Sequence, residues 1–467
     1  MKKTKIVCSI GPASSDKEVF RRLAYAGMNV ARVNFSHATL EEKQMVEKLV
    51  KEINEEENLN IGLLYDTKGP EFRNGVVQEG GISLVSGNTI RVVKEDVIGN
   101  EERFSVNHPD ALDSLNIGSV IQLENGLMKI EVISKENDGV TCKVINGGTL
   151  GTKKSLFVPG VKLDIPFISK EDREDIIYAC ENNGDFLALS FVSTKEDVIA
   201  AKEIINSVNG DIKIISKIES KTGIDNIDAI LEESDGVMVA RGDLGEEVPI
   251  SMLPVYQKLI ISKAREHGKV CIVATEMLES MKKNSRPTRA EVTDVANAVL
   301  DGTDAIMLSG ETTVGLYPVE AVSFMAKIAE ETENHANKNF EYKGKIGRTE
   351  CIAKGAVDLT NYVDAKAIAC ASISGYTARF ISNFRPHCPI IATCTKKDVA
   401  RSLALNYGVY TSIVDVLNDT DTMVEVARNA ATNFLGLEKE NKIIITGGLP
   451  LTGEGRITNF LKIEEIK

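Results

Sequence analysis

Gly236-Val237-Met238-Val239-Ala240-Arg241-Gly242-Asp243-Leu244-Gly245 is an apolar run that stops abruptly at a cation, a glycine and a carboxylate. A short apolar run bounded in this way reads as a buried parallel strand, with the polar residues at its C-terminal end. The pattern recurs on both sides. Phe186–Phe191, Ile212–Lys217, Val270–Ala274 and Ala305–Leu308 are four more such runs, each leading into a helical segment. Upstream, Thr4–Ile10, Val30–Asn34 and Ile61–Asp66 read alike, and Leu40, Val46, Leu49, Val50 and Ile53 fall near helical spacing between the last two. Eight strands over roughly 240 residues match a (β/α)8 TIM barrel, whose chemistry sits at the C-terminal strand ends. A doubly wound parallel sheet would show the same rhythm.

The rhythm breaks between residues 69 and 166. Here strands Ser119–Leu123, Met128–Ser134 and Val140–Ile145 are separated by turn residues, and Asp138-Gly139 is a hairpin signal. This block reads as a small β domain inserted into the α/β domain formed by residues 1–68 and 167–336. After the helix Val319–Glu333, the polar segment Asn334–Lys345 reads as a linker. Strands Ala367–Ala371, Pro389–Cys394, Ser412–Val416 and Lys442–Thr446 then alternate with helices, giving a smaller α/β domain over 346–467.

Composition limits the partners. The 467 residues carry a formal net charge of −13, with no global attraction for nucleic acid or an anionic membrane. No stretch approaches the roughly 18 apolar residues of a membrane span, and the short run ending at Ile10 does not make a signal peptide. The eight cysteines form no CxxC and mostly sit in apolar surroundings, the pattern of reduced thiols in a cytoplasmic protein.

The strand ends decide the chemistry. Arg32 and Asn34-Phe35-Ser36-His37 close the second strand, and Asp66-Thr67-Lys68-Gly69-Pro70-Glu71-Phe72-Arg73 follow the third. Lys217-Ile218-Glu219, Arg241-Gly242-Asp243 and Thr275-Glu276 end later ones. Each polar residue alone could be a helix cap. Collected on one rim, several cations facing several carboxylates are costly without charged ligands. Glu219 and Asp243 are hard oxygen ligands for Mg²⁺ or Mn²⁺. Arg32, Arg73 and Lys217 suit phosphate, and the backbone N–H groups of Gly242 and Asp243 open a helix that could hold a carboxylate. There is no GxxxxGK[ST] loop and no Ser-His-Asp or Cys-His set. The rim therefore suits a phosphorylated acid and a reaction driven by electrostatic stabilisation.

These strings resemble the pyruvate kinase family, and the resemblance runs along the whole chain. It rests on Thr4–Ser14, Asp66–Arg73, Ser216–Glu219, Ala240–Gly245, Arg286–Glu291 and Asp301–Glu311. It implies an allosteric glycolytic transferase that moves the phosphoryl group of phosphoenolpyruvate to ADP, giving pyruvate and ATP. The inserted domain would be a β-barrel lid and the C-terminal domain regulatory. It also implies Mg²⁺ (or Mn²⁺) at Glu219 and Asp243 and K⁺ at Asn34, Ser36, Asp66 and Thr67, with Glu71 of the residue type found in potassium-dependent members. Lys217 would stabilise the transferring phosphoryl group and the enolate, with Arg73 and Thr275 as further catalytic residues. Substrate would meet Arg32, Lys217, Gly242, Asp243 and Thr275. Nucleotide would meet Arg32, Arg73, His37 and Lys170. A homotetramer is implied, with Arg286–Glu291 near a barrel–barrel interface.

The sequence departs from the family at Ala38, Ser193, Glu276, the lid string Lys153–Gly160 and Glu124-Asn125-Gly126. Those changes motivate an alternative, a weakly active paralogue that binds phosphoenolpyruvate as a metabolite sensor. A barrel lyase acting on an enolate would need neither lid nor Arg73. In the C-terminal domain, Ser372, Ser374, Gly375 and Thr377 between a strand and a helix could cradle a sugar-phosphate or nucleotide effector. Tyr376 and the later loop Gly453-Glu454-Gly455-Arg456 leave its identity open.

Overall fold

The computed structural model describes residues 1–124, 126–161, 163–335, 344, 346–415, 419–449 and 458–467. Eight parallel strands close into a barrel: β1 (Lys5–Ser9), β2 (Val30–Asn34), β3 (Gly62–Asp66) and, beyond the insertion, β12 (Phe186–Leu189), β13 (Lys213–Ile218), β14 (Gly236–Ala240), β15 (Val270–Ala274) and β16 (Ala305–Leu308). Closure by β1 against β16 excludes the doubly wound sheet. Side-chain alternation sorts each strand into two rows. Ile6, Cys8, Ala31 and Val33 face outward onto the helices. Val7, Val30, Leu64, Ala188, Ile215, Met238, Ile272 and Met307 fill the barrel interior. Reserving a small side chain at Ala188, Ala274 and Ala305 makes room for larger neighbours in that packed interior.

Between β3 and β12 the described residues form eight further strands: β4 (Ile82–Leu84), β5 (Thr89–Val93), β6 (Arg103–Ser105), β7 (Val120–Leu123), β8 (Met128–Glu136), β9 (Gly139–Asn146), β10 (Gly148–Leu150) and β11 (Leu156–Phe157). They make a six-stranded sheet in the order β11-β7-β8-β9-β5-β6 and a pair β10-β4, around a core of their own that includes Ile90, Phe104, Ile121 and Val132. At the entry to this region Gly69 has φ 71, and a Cβ there would meet Ser190 Cβ at 2.8 Å, so only glycine fits. The Gly69 N–H donates to Asp172 Oδ1 at 3.0 Å, while Asp172 Oδ2 accepts from Ser169 in a capping box that starts the helix Lys170–Glu181. One buried carboxylate thus fixes both the chain at Gly69 and the helix beside it.

The C-terminal strands β17 (Ala367–Ala371), β18 (Ile390–Cys394), β19 (Val409–Ile413), β20 (Lys442–Gly447) and β21 (Phe460–Glu465) form a sheet in the order β19-β18-β17-β20-β21, with β21 antiparallel. The strand expected at Ser412–Val416 lies instead at Val409–Ile413. Tertiary contacts select the register: Tyr410 OH donates to the Lys2 carbonyl, and Lys5 Nζ donates to the Val409 carbonyl and stands 4.3 Å from the Tyr410 ring centre. The expected linker and the loop Gly453–Arg456 lie largely or wholly outside the described residues, as does Asn125. Of the cysteines, Cys8, Cys142, Cys271, Cys370, Cys388 and Cys394 are buried, whereas Cys351 is exposed.

Two ion pairs tie the bottom of the barrel to the C-terminal region. Asp304 meets Arg385 at 2.7 Å, and Arg401 Nε lies 3.0 Å from both oxygens of Asp185. Burial, opposed by Arg401, pushes the Asp185 carboxyl up to about 6. Replacing Arg401 by methionine removes that opposition and leaves a carboxylate buried unpaired. Because Arg401 is 21% exposed, the expected loss is at the low end for such pairs, about 2–3 kcal/mol near neutral pH. A carboxyl raised above its unfolded value costs stability as pH rises through that interval, so the loss shrinks near about pH 5. Urea unfolding midpoints of Arg401→Met at the two pH values check this; equal losses would refute it.

Candidate active site

The inward rows that fill the barrel continue upward as charge. Two residues beyond Val7, Val30, Leu64, Ala188 and Ile215 stand Ser9, Arg32, Asp66, Ser190 and Lys217, so strand periodicity alone aims them into the barrel mouth. Asp66 is the hub. Its Oδ2 accepts from Arg32 Nε at 2.7 Å and its Oδ1 from Lys217 Nζ at 3.1 Å, while Arg32 Nη1 donates to Ser9 Oγ at 2.6 Å. Burial raises the Asp66 carboxyl, but Arg32 and Lys217 outweigh it and hold it below the usual range. Lys217 also donates to Ser190 Oγ at 2.6 Å, and Ser190 Oγ passes a hydrogen bond to the Thr67 carbonyl at 2.7 Å.

Glu219 is fully buried. Its Oε2 accepts the Phe191 N–H, and Lys217 Nζ stands 3.0 Å from Oε1 in an ion pair that makes no hydrogen bond. Burial, reinforced by Asp243 and opposed by Lys217, pushes the Glu219 carboxyl up to about 8. Burial pulls the Lys217 ammonium down, but Asp66, Glu219 and Asp243 outweigh it and raise it. Near neutral pH the metal-free site therefore keeps a proton on both groups, a charged lysine beside a neutral glutamic acid.

Arg32, Asn34, Ser36, His37, Asp66, Thr67, Lys217, Glu219, Asp243 and Thr275 all line one cavity of about 140 Å³ at the mouth of the barrel. A second cavity of about 400 Å³ adjoins it beneath the inserted domain and contains Arg73; the two share Glu71, Phe191 and Asp243. Thr275 has φ 72 and Glu276 φ 53. For a β-branched residue the left-handed region is strained by an order of 1–3 kcal/mol, and such strain concentrates at functional positions. Its Oγ1 accepts the Gly242 N–H at 2.9 Å, so the amide expected to hold a carboxylate is engaged by threonine in this state.

Comparison with known proteins gives this geometry a family. A family model described as "Pyruvate kinase, barrel domain" matches residues 1–322, and one described as "Pyruvate kinase, alpha/beta domain" matches residues 350–464. The chain belongs to the pyruvate kinase family. A pyruvate kinase of Bacillus licheniformis is 44% identical, covering 99% of this chain and 80% of its own. One of Clostridium acetobutylicum is 40% identical, with 100% of each chain covered. The crystal structure of a pyruvate kinase from Cryptosporidium parvum superposes with a TM-score of 0.93 at 38% identity, covering 99% of this chain and 96% of that one. The chain is therefore a phosphotransferase of the pyruvate kinase class.

Not every residue expected of a pyruvate kinase reaches the cavities. Lys170 lines neither; as the first residue of its helix it points to solvent, 3.8 Å from Glu174. Arg73 spends its fork on Glu71, at 2.7 and 3.0 Å, and donates Nη1 to the Lys153 carbonyl. Ser372, Ser374, Gly375 and Thr377 surround the start of the helix Tyr376–Asn383, where Ser372 Oγ is buried without a partner among the described residues and Thr377 Oγ1 meets Thr458 Oγ1 at 2.9 Å. Ser193 fills its place with hydrogen bonds to Phe191 and Ser220. Glu276 adds to the charge that, after burial, pushes Glu246 up to about 7. Ser190 and Arg241 received no role from the sequence, although Ser190 lies two residues past Ala188 on an inward row and was within reach of strand alternation.

A divalent cation fits the donor set. Among the described residues no group of three or more His, Cys, Asp or Glu could hold a metal. Glu219 and Asp243 nevertheless flank one cavity, and Glu219 Oε1, ion-paired with Lys217, accepts no hydrogen bond among the described residues. Two carboxylates with remaining positions for water and substrate is the set that Mg²⁺ takes. The amide, hydroxyl and carboxylate oxygens of Asn34, Ser36, Thr67 and Asp66 share the same cavity and are the hard donors a monovalent ion requires.

Proposed function

We propose that the chain transfers the phosphoryl group of phosphoenolpyruvate to ADP at the mouth of the barrel, in the cavity around Lys217. The observation that carries this is the convergence of Arg32, Lys217, Glu219, Asp243 and Thr275 on one small cavity. Two like charges about 4 Å apart repel by about 4 kcal/mol at an effective dielectric of about 20, and bringing two polyanions into line involves several such pairs. Cations must therefore supply most of the stabilisation, with proton transfer secondary.

Lys217 offers its ammonium to the transferring phosphoryl group and then to the enolate oxygen. Arg32, held by Asp66 and Ser9, presents its remaining N–H groups to phosphate in a fixed orientation. Thr275 stands beside the carbon that is protonated to give pyruvate. Release of the Gly242 N–H from Thr275 frees an amide for the substrate carboxylate. Glu219 and Asp243 would hold a divalent ion and Asn34, Ser36, Asp66 and Thr67 would hold K⁺, and both ions would supply positive charge that offsets the anionic substrates. Nucleotide meets Arg32, Arg73, His37 and Lys170 when residues 69–166 close over residues 1–68 and 167–336 and exclude water. Closure would bring Lys170 to the phosphates and exchange Glu71 for phosphate at Arg73.

Residues 346–467 are the regulatory unit, with Ser372, Ser374, Gly375 and Thr377 as the effector cradle; Ser372 Oγ, buried with no partner among the described residues, supports that reading. The assembly is a homotetramer with Arg286–Glu291 at a barrel–barrel interface, and its place is the cytoplasm. No helix among the described residues is long and apolar enough to cross a membrane.

One assay tests the reading. Purified protein given Mg²⁺, phosphoenolpyruvate and ADP releases pyruvate, faster with K⁺ than without it. No pyruvate with both ions present, or release that does not depend on ADP, overturns it.

A further inference from the structure

Arg241 lies between the proposed metal ligand Asp243 and the end of β14, yet its side chain turns away from the cavity. Its Nη2 donates to the Thr275 carbonyl at 2.7 Å, and its Nη1 forms an ion pair with Asp294 Oδ1 at 2.8 Å. The same Nη1 lies 3.4 Å from Gln257 Oε1. Thr275 returns the contact by accepting the Gly242 N–H, so the ends of β14 and β15 are laced together twice. The guanidinium side chain is 11% exposed. It bonds the one peptide carbonyl that belongs to the strained, left-handed Thr275.

We propose that Arg241, braced by Asp294, is a positioning residue that holds Thr275 in its left-handed conformation and so aims Thr275 Oγ1 into the active-site cavity. A left-handed β-branched residue persists only where its surroundings over-determine it, and the planar fork of arginine reaches carbonyl and carboxylate together. A lysine has one point of charge and cannot span both. Because Asp294 sits on the helix Arg289–Asp301, the orientation of Thr275 is set by a helix outside the barrel mouth. The inference rests on the reading of Thr275 as a residue of the protonation step.

The test is a double-mutant cycle on the full-length protein with Mg²⁺, K⁺, phosphoenolpyruvate and ADP. Arg241→Lys is expected to lower kcat about tenfold, since a small misplacement of a reacting group costs on that scale. KM for phosphoenolpyruvate and Mn²⁺ affinity should stay within about threefold, as the metal and phosphate residues are untouched. On a Thr275→Ala background Arg241→Lys should add less than about twofold, because both changes act through one group. Multiplicative effects, or a parallel fall in Mn²⁺ affinity, overturn the proposal. If Arg241→Lys does not fold, Asp294→Asn carries the same cycle with the same expected non-additivity. A Thr275→Ala variant with wild-type turnover refutes instead the protonation reading on which the inference rests.

Discussion

Lys217→Met is expected to lower pyruvate formation about a thousandfold, the scale on which removal of a preorganised charge acts on phosphoryl and oxyanion chemistry. Methionine keeps the apolar stem inside the barrel, so the packing around Ile215 and Met238 is preserved. What is lost is the ammonium that faces Asp66, Ser190 and Glu219 together. Asp66 retains Arg32, and the ring therefore stays assembled on one side. The loss should fall on kcat more than on KM, because Arg32 and the Gly242 amide still receive the substrate. A coupled assay of pyruvate release, with circular dichroism to confirm the fold, measures it. Turnover within tenfold of wild type would remove Lys217 from the mechanism.

The barrel was legible because its strands are buried on both faces, so runs such as Gly236–Ala240 and Val270–Ala274 need no long-range information to be read. Strand alternation then places Arg32, Asp66 and Lys217 at the mouth without a structure. The inserted region resisted for the opposite reason. β4, β6 and β10 have three residues each, and β4 and β10 are defined by partners far along the chain, as when Gly148 pairs with Leu84. β21 is an edge strand with Ile463 46% exposed, and its pattern of alternating Leu461, Ile463 and charged residues gives no buried run to read. The engagement of Arg73 by Glu71 and the role of Arg241 depend on rotamers that spacing does not specify. Type and location of a charged residue can be inferred from sequence; which partner it prefers before substrate arrives cannot.

Glu219→Gln should separate function from stability in opposite directions. The carboxyl is fully buried, its Oε1 accepts no hydrogen bond among the described residues, and burial holds it up to about 8. In the unfolded chain a glutamate ionises near about 4.3. Between those values the unfolded state gives up its proton and the folded state keeps it, so the metal-free protein loses stability as pH rises through this interval. Glutamine keeps the shape and the acceptor for the Phe191 N–H without that penalty. With chelator present, the variant should therefore be the more stable protein by the order of a few kcal/mol near about pH 8, and the difference should fade towards about pH 5. Mg²⁺ reverses the order: it stabilises wild type by mass action, about 2.7 kcal/mol at a concentration one hundred times its Kd, and the variant far less. Turnover of the variant should fall by about a thousandfold, since a neutral amide replaces one of two anionic ligands and leaves Asp243 alone. Urea midpoints with chelator and with Mg²⁺, at both pH values, read the whole pattern. Identical midpoints for the two proteins in chelator would mean that this carboxylate is no reservoir of cost, and that Glu219 is not kept poised for a cation.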